Sequence, residues 1–390
     1  MLIYNLKKII KESSIILCIF IFSFIVFDFL ISLMLKKNSY EIYEQGEFGF
    51  YDLKKNHSGY ELFGSKIFKV NVNNYGYRSP NNEIHNNKYK ILFLGDSATY
   101  GMMKWEDSYP GIFQKISNLK VLNGGVPSYS PTTYIHKYKN ALSNNLLTED
   151  HIVILGLDIS DVQDEAGHWF NPDFMEIKNI DHPINLSAFK NKTNAPKIDQ
   201  SLSIKIKDWI KSNLKISIMI YRIIKFNFIK IDYMEPILKT SRSAFTWSDF
   251  DSLNIYKATE GDNLTRGFLP LGVEGGLLKI KENIQILKDI IDKNNGNLLI
   301  FTYPWPAQIV YEDKFDWIDY VSNICLDINC YSFVDVISEM RKYSKKNENW
   351  YEELFINGDI HLNSFGNEFA AKKILDTIIK TGILEKDNEN

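Results

Sequence analysis

Two short runs, far apart in the chain, carry residue types suited to covalent catalysis. KILFLGDSATYG, residues 90–101, ends an apolar run on Gly95, Asp96 and Ser97, and INGDIHLN, residues 356–363, sets Asp359 two residues before His361 in a Gly/Asn-rich loop. A serine hydroxyl is a weak nucleophile until a base takes its proton, and an imidazole does this best when a carboxylate fixes its tautomer. Ser97, His361 and Asp359 are therefore the candidate nucleophile, base and orienting acid of an acyl-transfer triad. Each has a plainer role open to it: Ser97 as a helix N-cap, His361 as a packed or capping loop residue.

The elements that would position them follow from the apolar pattern. KILFLG (90–95), KVLN (120–123), IVILGL (152–157), NLLIFTY (297–303) and SFVDV (332–336) read as buried strands, alternating with helical patterns such as 276–293. That alternation predicts a flavodoxin-like three-layer α/β sandwich with a five-stranded parallel sheet covered on both faces. Ligand crevices of such sheets lie beyond the carboxyl ends of the strands, which is where Ser97 would stand. Gly95 permits the sharp turn, and Ser97 at a helix start would aim its N–H where negative charge develops.

The chain has 390 residues, is 45% hydrophobic and 14% aromatic, and carries a formal charge of -3, so it can bury a large core and has no basic surface of the kind that holds nucleic acid. Residues 13–35 are apolar over about the 20 residues that span a bilayer, with Lys7, Lys8 and Lys11 before them. Asp28 is the exception, at an insertion cost of roughly 2.5–3.5 kcal/mol. No small-residue cleavage site follows, so the reading is an uncleaved anchor, with a long signal peptide as the alternative. The expected organisation is a cytoplasmic tail and transmembrane anchor over 1–37, a lead-in segment over 38–88, and a domain over 89–385 interrupted by a helical insertion at about 166–275. Within the insertion, residues 203–230 have helical periodicity, open to three readings: a lid, a membrane-surface helix, or a helix packed on the core with solvated lysines. Export makes a Cys325–Cys330 disulfide possible, with two reduced, buried thiols as the alternative.

At this point the sequence resembles a known family, the SGNH hydrolases or GDSL esterases and lipases. GDSATYG (95–101) matches the family's first block, with Ser97 as nucleophile. LNGGVPSYSP (122–131) resembles the second block, LGLDISDVQDE (155–165) occupies the third and GDIHLN (358–363) the fifth, with NYGYRSP (74–80) similar to its lead-in. The resemblance implies that Ser97, His361 and Asp359 form the triad and that Gly125 supplies an oxyanion-hole N–H beside that of Ser97. In the third block the family presents an asparagine; here Ser160 precedes Asp161, so a hydroxyl would replace an amide as oxyanion donor. Asn123, Asp161, Trp305 and Gln308 are further candidates for contacting substrate, the last two in YPWPAQI (303–309) after the fourth strand. Plainer roles are a turn bond for Asn123, a structural role for Ser160 and a rigid Pro-rich loop around Trp305.

The D-x-H form of the fifth block is similar to relatives that modify acyl groups on envelope polysaccharides. The resemblance thus implies an esterase or O-acyltransferase with no cofactor and no metal, acting on an acylated envelope glycan or acyl donor. A membrane-bound acyltransferase would be its partner, and the inner membrane its location, with the catalytic domain on the periplasmic side. The rival expectation is a non-catalytic glycan-binding or assembly protein on the same fold.

Overall fold

The computed structural model describes residues 2–39, 42–45, 50–63, 66–81, 88–169, 206, 209–210, 213–228, 237–248, 266–311 and 314–384. Among the described residues ten strands are formed: β1 (Tyr43–Gln45), β2 (Tyr51–Leu53), β3 (Ser58–Phe63), β4 (Lys66–Val72), β5 (Arg78–Ser79), β6 (Tyr89–Leu94), β7 (Val121–Asn123), β8 (Leu147–Leu157), β9 (Asn297–Thr302) and β10 (Ser332–Asp335). The first two make a small antiparallel ribbon, and the other eight form one sheet in the order β10-β9-β8-β6-β7-β5-β4-β3. The five strands read from the sequence are its parallel part. Ile91 to Leu94 are consecutive and wholly buried, as are Ile152 to Leu155. A strand buried at every position is covered on both faces.

One expectation needs correcting. The sheet has eight strands and is mixed, because the lead-in segment extends it: β5 pairs antiparallel with β7 through Arg78 and Asn123, β4 pairs with β5, and β3 with β4. Helix Tyr109–Ser117 packs on Ser364–Lys380, and Gly272–Lys293 packs on Pro131–Ser143. Cys325 and Cys330 are joined in a disulfide, with Cα atoms 4.9 Å apart, at the turn between helix Trp317–Asp327 and β10.

The N-terminal helix runs from Leu2 to Ser39, and its Lys11–Leu33 stretch is, among the described residues, the one helix long and apolar enough to cross a membrane. Length and composition suit a span or a signal sequence equally. The insertion rejoins the domain in places: Arg242 pairs with the buried Asp164 at 3.2 Å, and Ala244–Trp247 packs on Pro306–Val310. Of residues 203–230, the described helix Lys215–Phe228 packs on the N-terminal helix.

Candidate active site

β6 delivers Ser97. The strand stops at Leu94, Gly95 turns the chain, and Ser97 opens the short helix Ser97–Tyr100. A Cβ on Gly95 would lie 1.8 Å from Thr99 Oγ1, so only glycine fits there. Asp96 caps the helix, its Oδ1 accepting from the N–H of Ala98 at 2.8 Å.

The loop before helix Ser364–Lys380 delivers His361 and is tied at both ends. Phe355 and Leu362 form an isolated antiparallel bridge, and the Ile356 N–H donates to the His361 carbonyl at 2.8 Å. Asn363 caps the helix by accepting from the N–H groups of Phe365 and Gly366. Tyr303, at the end of β9, accepts from the Leu362 N–H at 2.6 Å, and Tyr351 donates its hydroxyl proton to the Asp359 carbonyl at 2.9 Å. The loop is thereby held to the scaffold on both sides of the imidazole.

These two deliveries bring the three residues together. Ser97 Oγ lies 2.8 Å from His361 Nε2, and His361 Nδ1 lies 2.5 Å from Asp359 Oδ1. Asp359 Oδ1 also accepts from the His361 backbone N–H at 3.0 Å. A carboxylate only accepts, so Nδ1 carries the proton and Nε2 is left as acceptor for the serine hydroxyl. Burial works against a charged imidazole here, but the hydrogen bond and charge of Asp359, with Asp96 and Asp158 beyond it, raise the His361 pKa above the ordinary histidine value.

Asp96 is the second partner of the nucleophile, its Oδ2 lying 3.0 Å from Ser97 Oγ. Burial, followed by the charge of Asp158, pushes this carboxyl up to about 7. Ser97 has one proton to give. When that proton points to His361, the contact with Asp96 is satisfied by a protonated Asp96; when Asp96 ionises, it competes with His361 for the same hydroxyl.

The remaining residues singled out from the sequence are placed as follows. Gly125 packs tightly behind the nucleophile helix, where a Cβ would stand 2.2 Å from the Tyr100 nitrogen. Its N–H donates to Asn123 Oδ1 at 2.9 Å, and Asn123 Nδ2 donates to the Thr99 carbonyl at 2.9 Å. Ser160 is buried at the start of the turn Ser160–Gln163, its N–H donating to Asp158 Oδ1 and its hydroxyl without a hydrogen-bond partner. Asp161 is buried and used internally, accepting from Tyr134 and from the Asp158 N–H. Burial, then the charges of Asp158 and Asp96, holds the Asp161 proton on well above the ordinary carboxylate range. Trp305 and Gln308 are also buried, 2% and 0% exposed, and serve the start of helix Pro306–Val310, where the Trp305 N–H donates to Gln308 Oε1. Asp161, Trp305 and Gln308 therefore belong to the packed interior of this structure rather than to an open face of the site.

Three residues with a part in the site were not singled out. Asp158, not Ser160, immediately follows β8, and its charge bears on both Asp96 and His361. Arg78 is wholly buried with its guanidinium over the Tyr100 ring at 4.7 Å, and it donates to the carbonyls of Tyr100, Gly101 and Met103. It holds the chain just after the nucleophile. Phe63, at the end of β3, meets the His361 ring edge-on at 5.2 Å. Phe63 also lines a cavity of about 620 Å³ with Met102, Lys104, Asp107, Glu352 and Asn357, beside the His361 loop. The volume lies within the usual range for small-molecule sites.

No protein-family model and no curated protein sequence matches the chain. Solved structures resemble it in fold. One is the acetyl xylan esterase AlAXEase, with TM-score 0.38 and 14% identity over 74% of this chain and 98% of that one. Another is a catalytic mutant of Axe2, an acetylxylan esterase from Geobacillus stearothermophilus, with TM-score 0.36 and 11% identity over 75% and 95%. A third is LAE5, an alpha/beta hydrolase enzyme from the metagenome of Lake Arreo, with TM-score 0.38 and 10% identity over 77% and 98%. The chemistry of the site rests on its geometry and not on these likenesses.

Proposed function

We propose that the chain is a serine esterase or O-acyltransferase, tethered to the inner membrane with its catalytic domain on the periplasmic side, that moves an acyl group, acetyl by preference, on an envelope glycan. The observation that carries the reading is the relay from Ser97 Oγ through His361 to Asp359, with both contacts at hydrogen-bond distance. Ser97 Oγ attacks the acyl carbonyl while its proton passes to His361 Nε2. The imidazolium, held by Asp359, then returns that proton to the departing alkoxide as the carbonyl–oxygen bond breaks, leaving an ester on Ser97. Water or a sugar hydroxyl repeats the steps in reverse, giving hydrolysis or transfer.

The mixed lining of the cavity beside His361, with Phe63 and Met102 among Lys104, Asp107, Glu352 and Asn357, supports a substrate with both apolar and hydroxyl-rich parts. The disulfide and the apolar N-terminal stretch support an address outside the cytoplasm, and a membrane-bound acyltransferase remains the partner class that would supply the acyl group.

A second reading draws on the oxyanion side. The Gly125 N–H is taken by Asn123, which favours a non-catalytic glycan-binding protein unless that bond shifts when substrate enters. A fluorophosphonate probe followed by peptide mapping separates the two. Labelling of Ser97, lost in His361→Ala, supports the enzyme; no labelling of the folded protein, with glycan binding intact in Ser97→Ala, supports the binding protein.

A further inference from the structure

The N-terminal helix buries two polar side chains inside its apolar stretch, and another part of the chain uses both. Asp28 and Ser32 are 0% exposed, whereas Phe27, Leu30 and Leu33 around them are exposed. Four residues apart, they share one side of the helix, and Ser32 Oγ donates to Asp28 Oδ1 at 3.2 Å. Against this side begins the insertion helix Lys215–Phe228.

The first N–H groups of a helix have no partner within it. Here the Lys215 N–H donates to Ser32 Oγ at 2.9 Å, the Ile216 N–H to Asp28 Oδ1 at 2.9 Å and the Ser217 N–H to Asp28 Oδ2 at 2.7 Å. One turn of one helix thus caps the start of another, more than 180 residues later in the chain. Phe29 stacks on Trp209 beside the cap, with ring centroids 6.1 Å apart. In an apolar medium a lone carboxylate and a bare helix start are each expensive, and pairing them removes both costs. A cleaved signal peptide would leave the insertion helix uncapped.

We propose that the N-terminal helix is a retained anchor, that the insertion helix Lys215–Phe228 docks on it through Asp28 and Ser32, and that this helix, with Trp209 before it, is a second membrane element, set in the acyl-chain and headgroup boundary. Asp28 precedes Leu33, the last residue of the apolar stretch, by five residues, about 7.5 Å along a helix. That matches the depth of about 5–10 Å reached by interfacial helices. The segment has the surface such a place requires: Trp209, Ile220, Tyr221 and Ile224 are exposed, the last three on one side of the helix. Through Arg242 and Asp164 the insertion also meets the domain just after β8.

The test uses the full chain in vesicles of phosphatidylethanolamine and phosphatidylglycerol, with Cys18→Ser as background. N-terminal sequencing of the membrane-extracted protein should find residues 1–35 present; their removal overturns the proposal. A nitrobenzoxadiazole label on Tyr221→Cys should brighten in vesicles and be quenched by shallow spin-labelled lipid. A label quenched by aqueous iodide as strongly with vesicles as without overturns the lipid contact. Phe29→Cys with Trp209→Cys should be joined by a short thiol cross-linker, and adding Asp28→Ala should lower the yield on the order of tenfold, with Asp28→Asn between the two. Cross-linking indifferent to Asp28→Ala, or absent in the parent pair, overturns the docking. Should Asp28→Ala fail to accumulate, the label and the parent cross-link still decide.

Discussion

Replacing Asp96 by Asn tests the electrostatics of the nucleophile's surroundings without removing the nucleophile. Asp96 is 6% exposed, and its carboxyl is raised from 3.8 to about 7 by burial and by Asp158. In the window between those two values the folded protein holds a proton that the unfolded chain has released. The stability linked to this group is therefore fully present below pH 3.8 and is lost as pH rises through 7. At about 1.36 kcal/mol per pKa unit, burying this carboxyl costs the fold on the order of 4 kcal/mol at pH 8, where it must ionise, and on the order of 2 kcal/mol at pH 5, where it must hold a proton that the unfolded chain has released. Asparagine retains the Oδ1 that caps Ala98 and carries no charge. Asp96→Asn should then be more stable than wild type by amounts approaching these, larger at pH 8 than at pH 5. Urea unfolding in detergent micelles at the two pH values, followed by tryptophan fluorescence, measures the difference. The charge of Asp96 also helps raise Asp161 and Asp164, so removing it lets both ionise more readily and adds to the gain at high pH. A variant no more stable than wild type at pH 8, or a gain that does not grow with pH, would refute the reasoning.

Three more outcomes are expected. Asp359→Asn should lower turnover of p-nitrophenyl acetate by about 10³–10⁴-fold, and in wild type the acid limb of kcat/KM should lie above pH 6.5, because the base works only when neutral and its pKa is raised; a limb below 6.5 would contradict the environment described for His361. Gly125→Ala should lower the thermal midpoint by several degrees or prevent accumulation, since its Cβ meets backbone rather than a movable side chain. Asp158→Asn should raise acetyl-ester turnover by setting an amide donor at the end of β8 in place of a charge that bears on Asp96 and His361; unchanged or lower turnover in a folded variant would remove Asp158 from the oxyanion side.

What could be read from the sequence divides along physical lines. The five parallel strands announce themselves because burial on both faces demands unbroken apolar runs such as ILFL and IVIL. β3 to β5 do not, because edge strands keep residues such as Lys69 and Glu61 in a looser pattern, and β5 is only two residues long. Their place in the sheet comes from pairing with β7. The triad candidates were legible from residue type and order, since acyl transfer needs a nucleophile, a base and an orienting acid. Arg78 and Phe63 were not, because their roles are contacts across the sheet edge. Trp305 and Gln308 suggested a lined pocket by composition; in the structure both side chains are buried at the start of helix Pro306–Val310. Asp158 was passed over because its importance depends on the residue at which β8 stops.

Ser97 and His361, the proposed nucleophile and base, are 264 residues apart in sequence, and that separation has a meaning in time. A chain emerging N-terminus first presents Ser97 early and the loop of His361 only near its end. At about 5–20 residues per second, some 13 to 50 seconds of synthesis pass between them. Throughout that interval the hydroxyl has no imidazole to activate it. On the proposed function the chain is made without its base, and the loop of His361, pinned by Tyr303, Tyr351 and Asn363, completes the triad.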